Sequence, residues 1–374
     1  MKFIFSFLII NALLLDSLLI NSSFQSSIFS EVNLDNKEKN VIVSPLSIFQ
    51  VLGLTTNGAV DTTQKEMIST LEELSLDSLN NVNYKLMQII RKFVSVEMAN
   101  GVMSTFEPIK SFIKICDKYE APIEKLLSAD QVNEWCSKNT NGKITEIIDQ
   151  LDPNTVMLLL NAVYFRGEWV YPFNPDKTYK GTFYNSGKEE KAVEMMTQTH
   201  EFMYYQDTDI QAIELPYKND SMSAIIILPN KNVDINTYVN LYNINDESIK
   251  KVLDGMIETG VQINLPKFEV GFYMKLKEVL KRLGMELAFT GGADFSGING
   301  VGGLYIDNVI HKTYLKIDEI GSEAAGVTIV DMRKNAVIPQ AVMDVNRPFI
   351  LLIKSNELPK NNDLLFMAKI EEII

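Results

Sequence analysis

The stretch 318–348, DEIGSEAAGVTIVDMRKNAVIPQAVMDVNRP, restricts this chain more than any other. A glycine opens a run of small residues, a β-favouring stretch follows, then a short basic patch and a proline-containing tail. Read with period two, Ser322, Ala324, Gly326, Thr328, Val330 and Met332 share one face, and none is charged. Glu323, Ala325, Val327, Ile329, Asp331 and Arg333 share the other. A segment that must live in water and also fit as a central strand needs this division. Its small, neutral face can be buried while the other keeps the charges wet. Taken alone, the run also fits an amphipathic helix started by Ser322, because Glu-Ala-Ala is good helix material. A short run does not separate the two periods, so the rest of the chain has to decide.

The rest reads as helices first and strands later. Residues 22–33 and 45–58 carry apolar spacings of three and four, with Ser44-Pro45 a good helix start. Helical patterns continue to about residue 151, including 133–138 and 144–151. Residues 155–165, TVMLLLNAVYF, are a nearly continuous apolar run, as expected of a strand buried on both faces. Shorter strands are expected near 181–184, 191–206, 210–216, 222–228, 260–270, 303–315, 341–345, 348–354 and 364–370, with a helix at 275–284 among them. That order predicts an α+β domain with a large, mainly antiparallel sheet. No repeat or low-complexity linker divides the chain, so residues 20–374 read as one domain.

Composition narrows the function. Hydrophobic residues make up 46% of the chain and charged residues 22%, which is globular material with ample core. A net charge of −13 without a dense basic stripe argues against nucleic-acid or heparin binding, which needs clustered Lys and Arg. Cys116 and Cys136 are read as free buried thiols, and nothing in their spacing demands a bridge. Only His200 and His311 are available, so no His-rich metal site is expected, and histidine-based catalysis has few routes. No nucleophile elbow or metal signature supports a hydrolase, so the chain is not expected to be an enzyme, and no cofactor is expected. Met1-Lys2 followed by a mostly apolar run to Leu15 matches a secretory signal over residues 1–19, too short to span a bilayer. Secretion, and no membrane attachment after signal removal, are therefore expected. The sequons Asn21-Ser22-Ser23 and Asn219-Asp220-Ser221 fit a secreted glycoprotein.

Several blocks then line up in order. Asn40-Val41-Ile42-Val43-Ser44-Pro45-Leu46-Ser47-Ile48 opens a helix, and Thr140-Asn141-Gly142-Lys143-Ile144 precedes Asn161-Ala162-Val163-Tyr164-Phe165-Arg166-Gly167-Glu168-Trp169. Glu214-Leu215-Pro216-Tyr217, Leu265-Pro266-Lys267-Phe268, Ala293-Asp294-Phe295-Ser296-Gly297-Ile298 and His311-Lys312 follow, then 319–328 and Asn346-Arg347-Pro348-Phe349. From about residue 22 to 370 this resembles the serpins, the serine protease inhibitor superfamily. The resemblance implies a large central sheet with two further sheets, helices, and an exposed reactive-centre loop at about 319–340. It also implies a monomeric suicide inhibitor. A serine protease cleaves the loop, which then inserts as an extra strand and traps the acyl-enzyme.

Residue by residue, Glu319, Gly321, Ser322, Glu323, Ala324, Ala325, Gly326 and Thr328 match the family's loop hinge. Ser44, Ser47, Asn161 and His311 match the polar cluster called the shutter. Trp169, Lys267 and Glu319 match the breach, where the loop enters the sheet, and a Lys267–Glu319 ion pair is expected there. The chain departs from the pattern at Ile320, where a charge is common, at Val327, where a small residue is usual, and at Ala368, where glycine is usual. Because 71–83 is short, the helix that binds heparin in some relatives is expected to be reduced, and a heparin cofactor is not expected.

The bond offered to the protease falls within Met332-Arg333-Lys334-Asn335-Ala336. Counting from Glu319 by the commonest hinge length gives Asn335–Ala336, and a hinge one residue shorter gives Lys334–Asn335, with Arg333 a further alternative. A trypsin-like pocket has an acid at its base that Lys334 would pair and Asn335 would not. The target is therefore expected to accept Lys or Arg. The competing readings are a non-inhibitory serpin serving as carrier or chaperone, and a cross-class inhibitor of a cysteine protease. Bulky, charged or proline residues on the face that includes Ser322 and Thr328 would support the carrier, and none is present from Ser322 to Thr328.

Overall fold

The computed structural model describes residues 23–186, 189–219, 221–241, 246–322, 339–359 and 362–373. Helices dominate the first third and strands the remainder, the α+β arrangement expected. Ser44 begins the Pro45–Thr56 helix, its hydroxyl accepting from the Ser47 amide and Pro45 filling the first turn. This helix is almost entirely buried and packs against the strands Met157–Phe165 and Leu364–Ile370. Leu76–Ile90 forms a helix of 15 residues, so the helix expected to be reduced keeps about four turns.

The largest sheet has nine strands and includes Glu190–Gln206, Ile210–Pro216, Met222–Pro229, Ile257–Pro266, Phe349–Ser355 and Leu364–Ile370. Its ladders are antiparallel except where Ala341–Asp344 lies parallel to Ile257–Pro266. Phe349–Ser355 and Leu364–Ile370 are nearly all buried, which explains their unbroken apolar character.

The strands that the resemblance places in one central sheet form two blocks here. Val96–Ser104 pairs with Ile123–Lys125 and with Met157–Phe165, while Phe268–Lys275 pairs with Ile310–Ile317. Among the described residues no ladder joins Met157–Phe165 to Ile310–Ile317. Met157–Phe165 is accordingly less buried than its run of apolar residues suggests, and its faces differ. Leu158 and Leu160 pack with the Ala129–Asn139 helix residues Val132 and Trp135, while Met157, Leu159 and Val163 pack on the main core. The segment after that helix reaches the other block, where Lys312 Nζ donates to the Glu146 carbonyl and the Lys143 ammonium sits 5.2 Å from the Tyr314 ring centre.

Four local expectations change, the first being that the helical stretch expected to continue to about residue 151 is interrupted by the strands Val96–Ser104 and Ile123–Lys125. Residues 144–151 are not helical, because Asn133 captures that backbone from the side. Its Oδ1 accepts from the Ile147 and Ile148 amides at 2.8 and 3.2 Å, and its Nδ2 donates to the Ile148 carbonyl. The apolar spacing there serves packing of Ile147, Ile148 and Leu151 against Val132 and Leu160. The strand expected at 260–270 is two strands, broken at Lys267, whose amide donates to the Glu194 carbonyl. The strand expected at 303–315 is Ile310–Ile317, preceded by Gly302 and Gly303 at φ 79° and 76°, left-handed positions that a strand does not tolerate. Cys116 and Cys136 are both free and buried.

Candidate functional site

Two clusters flank the gap between the blocks. At the first, the Ser44 amide donates to His311 Nε2 at 3.1 Å, so that nitrogen carries no proton. Burial pushes the His311 pKa down to about 4, which keeps the ring neutral. The Ser47 hydroxyl donates to Asn161 Oδ1, and Asn161 Nδ2 donates to Asn100 Oδ1 at 2.7 Å. Asn100 Nδ2 continues to the Tyr119 carbonyl at 2.9 Å. Ser44 and Ser47 come from the start of one helix, His311 from one block, Asn161 and Asn100 from the other. Hydrogen bonds through this helix N-terminus thus span strands that no ladder joins. Asn100, 7% exposed, was not singled out in the sequence. Its signal is a lone Asn in the mostly apolar strand Val96–Ser104, where burial demands partners.

The second cluster lies at the strand ends. After Ile310–Ile317 the chain reverses through 318–321. Asp318 Oδ1 accepts from the Ile320 and Gly321 amides at 3.0 and 3.2 Å, and the Asp318 amide donates to the Gly321 carbonyl. Gly321 and Ser322 then pair antiparallel with Glu168 and Gly167, the continuation of Met157–Phe165. The approach is close enough to require glycine: a Cβ on Gly321 would fall 1.9 Å from the Gly167 carbonyl oxygen. Ser322 is fully buried, its hydroxyl 2.6 Å from the Tyr217 hydroxyl. Tyr217 stacks on Trp169 with ring centres 4.5 Å apart, and Trp169 Nε1 donates to the Asp318 carbonyl at 3.0 Å. Burial pushes the Tyr217 phenol pKa up, so the hydroxyl remains neutral.

The Lys267–Glu319 ion pair is present at 3.1 Å, and Lys267 also meets Glu194 at 3.2 Å. Burial works against the Glu319 carboxylate, but hydrogen bonds from its own backbone, Thr178 and Lys267 more than offset this and hold its pKa below the usual range. With Lys267 a third exposed, the pair stabilises by no more than about 1 kcal/mol. Its geometry tethers Glu319 to the junction where the strand switches sheets. Ile320, at a position where a charge is common, sits in the turn with its carbonyl accepting from the Trp169 amide.

The structure therefore brings Ser44, Ser47, Asn161 and His311 together, and separately Trp169, Lys267, Glu319, Gly321 and Ser322. Glu323, Ala324, Ala325, Gly326 and Thr328 of the hinge, and Arg333, Lys334, Asn335 and Ala336 around the bond, lie outside the described residues. So does the signal at 1–19. Tyr217, Thr178, Glu194 and Asp318 were not assigned roles from sequence, although Tyr217 stands in one of the aligned blocks.

Comparison with known proteins bears on this geometry. The family model described as Serpin (serine protease inhibitor) matches residues 19–373. The chain is 33% identical to Intracellular coagulation inhibitor 2 of Tachypleus tridentatus, over 90% of this chain and 87% of that one. It is 31% identical to the Leukocyte elastase inhibitor of Xenopus laevis, over 89% and 94%. Among solved structures, the thermophilic serpin tengpin in its native state superposes with a TM-score of 0.84 at 30% identity, over 94% of this chain and 92% of that one. Thyroxine-binding globulin complexed with thyroxine shares the fold, with a TM-score of 0.82 at 24% identity over 95% and 98%. The chain belongs to the serpins, a family of serine protease inhibitors.

Proposed function

We propose that this chain is a suicide-type inhibitor of a serine protease accepting Lys or Arg. Trapping occurs when the cleaved loop is drawn between Met157–Phe165 and Ile310–Ile317. The observation that carries this reading is the register of Gly321 and Ser322 against Glu168 and Gly167. Each further loop residue added to that ladder steps one residue back along the facing strand. Thr328 would then come opposite Asn161, and Met332 opposite Met157, the first residue of the strand. Directly opposed residues share a face, so the neutral positions from Ser322 to Met332 would turn inward with Asn161. The charged positions Glu323, Asp331 and Arg333 would turn outward.

The chemistry follows from that geometry. The protease serine attacks the presented carbonyl carbon, the C–N bond breaks, and the carbonyl carbon stays esterified to the serine. The amino-terminal arm of the loop is then free to follow Ser322 into the gap. A strand of about a dozen residues, at roughly 1 kcal/mol net per ladder bond, supplies on the order of ten kcal/mol. That energy is held in the native state by a barrier, so its persistence is kinetic. Incubation with trypsin and chymotrypsin, followed by a denaturing gel, tests the proposal. A covalent complex with trypsin and a C-terminal fragment starting at Asn335 is expected. A quantitatively cleaved loop with no complex refutes inhibition by trapping.

Export through the secretory route is part of the same proposal, supported by Met1-Lys2 and the apolar run that follows. Protein recovered from the medium of secreting cells should have lost about the first 19 residues. Retention inside the cell with Met1 in place refutes it.

A further inference from the structure

Three strands of the nine-stranded sheet, Glu190–Gln206, Ile257–Pro266 and Ala341–Asp344, lie side by side, and their register fixes which residues share a face. Val261, Ile263, Leu265 and Met343 are fully buried on the core side. By alternation the other face carries Thr197, Asn264 and Asp344 opposite one another, with Val342, Glu201 and Glu258 further along. Glu201, Glu258 and Asp344 are exposed, and Val342 is 50% exposed. No Lys or Arg occupies this face between residues 197 and 203, 258 and 264, or 342 and 344.

Asn264 gives an independent sign of a missing partner. It is only 7% exposed, and its Nδ2 donates to Asp344 Oδ1, while its own Oδ1 is buried with no hydrogen-bond donor. A buried acceptor left unpaired is destabilising. The Asp344 carboxylate beside it, when ionised, also only accepts. Arg347 lies close enough to feel the Asp344 charge and its Nη1 donates to the Asp344 carbonyl at 3.5 Å, yet Asn264 Oδ1 is left without a donor, so the acceptors beside it still suit a further cationic donor.

The position of this face supplies the occupant. The chain re-enters the described fold beside it, the Gln340 amide donating to the Gly260 carbonyl at 2.7 Å. Gln340 is six residues beyond Lys334, so the presented bond lies within about 20 Å of it even at full extension. A protease of about 230 residues has a radius of gyration near 17 Å. An enzyme docked on the bond is therefore large enough to reach this face.

We infer that the acidic face around Asp344 is a docking surface for the target protease, selecting enzymes with a basic patch beside the active-site cleft. An enzyme Lys or Arg approaches Asp344, with the Asn264 amide oxygen behind it as second acceptor. Carboxylates here raise the association rate and leave the bond chemistry untouched. The inference rests on the inhibitory reading, since it requires a protease at the loop.

Cationic and anionic trypsin share one cleavage preference and differ in surface charge, so together they isolate the effect. Rates of loop engagement are measured at low and high salt for the parent and for the E201Q/E258Q/D344N variant. Engagement is counted as covalent complex plus cleaved loop, so a cleaved loop without complex refutes trapping while the rate still tests docking. The variant should slow cationic trypsin about tenfold at low salt, flatten the salt dependence and leave anionic trypsin unchanged. Val342→Glu adds a carboxylate to the same face and should speed cationic trypsin about twofold, a gain that misfolding does not produce. Equal rates for parent and both variants on cationic trypsin, or equal slowing on both enzymes, overturn the inference.

Discussion

Protonating His311 should loosen the connection between the two strand blocks, and the size of the effect follows from its burial. In the fold the ring accepts the Ser44 amide at Nε2, and burial lowers its pKa from 6.5 to about 4. A histidine with a depressed folded pKa takes up a proton when its site opens, so it stabilises fully only above the unfolded pKa. That stability is lost as pH falls from about 6.5 towards about 4, after which no more is lost. The full difference is about 3 kcal/mol, at about 1.4 kcal/mol per pKa unit, and about 2 kcal/mol is already gone at about pH 5. Thermal midpoints and rates of spontaneous loss of inhibitory activity are to be followed between about pH 7.5 and 4.5. They should be compared with His311→Gln, which keeps an acceptor but no proton-binding site. Carboxylates titrate at the lower end in both proteins, so the histidine contribution is the difference between the curves. Parallel curves across the whole window would refute a neutral His311 as the holding group.

Other consequences are separable by assay. Gly321→Ala puts a methyl group 1.9 Å from the Gly167 carbonyl oxygen, so the Gly321–Ser322 ladder must break. The expected readout is less covalent complex and more cleaved loop, and an unchanged ratio refutes that entry point. If Lys334 fills the protease pocket, Lys334→Ala abolishes complex formation with trypsin-like enzymes and Asn335→Ala reduces it only modestly. The reverse pattern moves the cut to Asn335–Ala336. Nicking the loop between Met332 and Ala336 should raise the thermal midpoint sharply, because the freed strand completes the sheet. Equal midpoints before and after nicking indicate a loop that does not insert.

The order of elements was legible because helical and strand periods differ and the later strands are long apolar runs. Period alone failed at 144–151, where Ile147, Ile148 and Leu151 have helical spacing but pack as an irregular segment held by Asn133. It also missed the break at Lys267, since residues on both sides favour strand and only sheet switching separates them. The grouping of Ser44, Ser47, Asn161 and His311 came from family resemblance. Residues 267 positions apart leave no local trace of the Ser44–His311 contact. Tyr217 acts through one hydrogen bond to a group distant in sequence, and Asn100 through two; only the apolar strand around Asn100 hints at its need for partners.

The register at Ser322 makes Thr328 the most exacting test of loop insertion. Continued along the Gly167–Glu168 pairing, Thr328 would arrive opposite Asn161, whose amide is already bonded to Ser47 and Asn100. A hydroxyl can join that polar group, and a small neutral side chain fits over the helix beneath. Thr328→Arg instead carries a cation to a site where His311 is neutral and the nearest groups are amides and hydroxyls. An unpaired charge buried there costs several kcal/mol, which slows closure of the strand and leaves time for the acyl-enzyme to hydrolyse. Covalent complex should give way to cleaved loop at an unchanged rate of engagement, because the substitution is remote from the presented bond. Val327→Arg, one residue away and on the outward face, controls for charge and size. Loss of complex with Val327→Arg but not with Thr328→Arg would require the opposite face to turn inward, and the register proposed from Ser322 would be wrong.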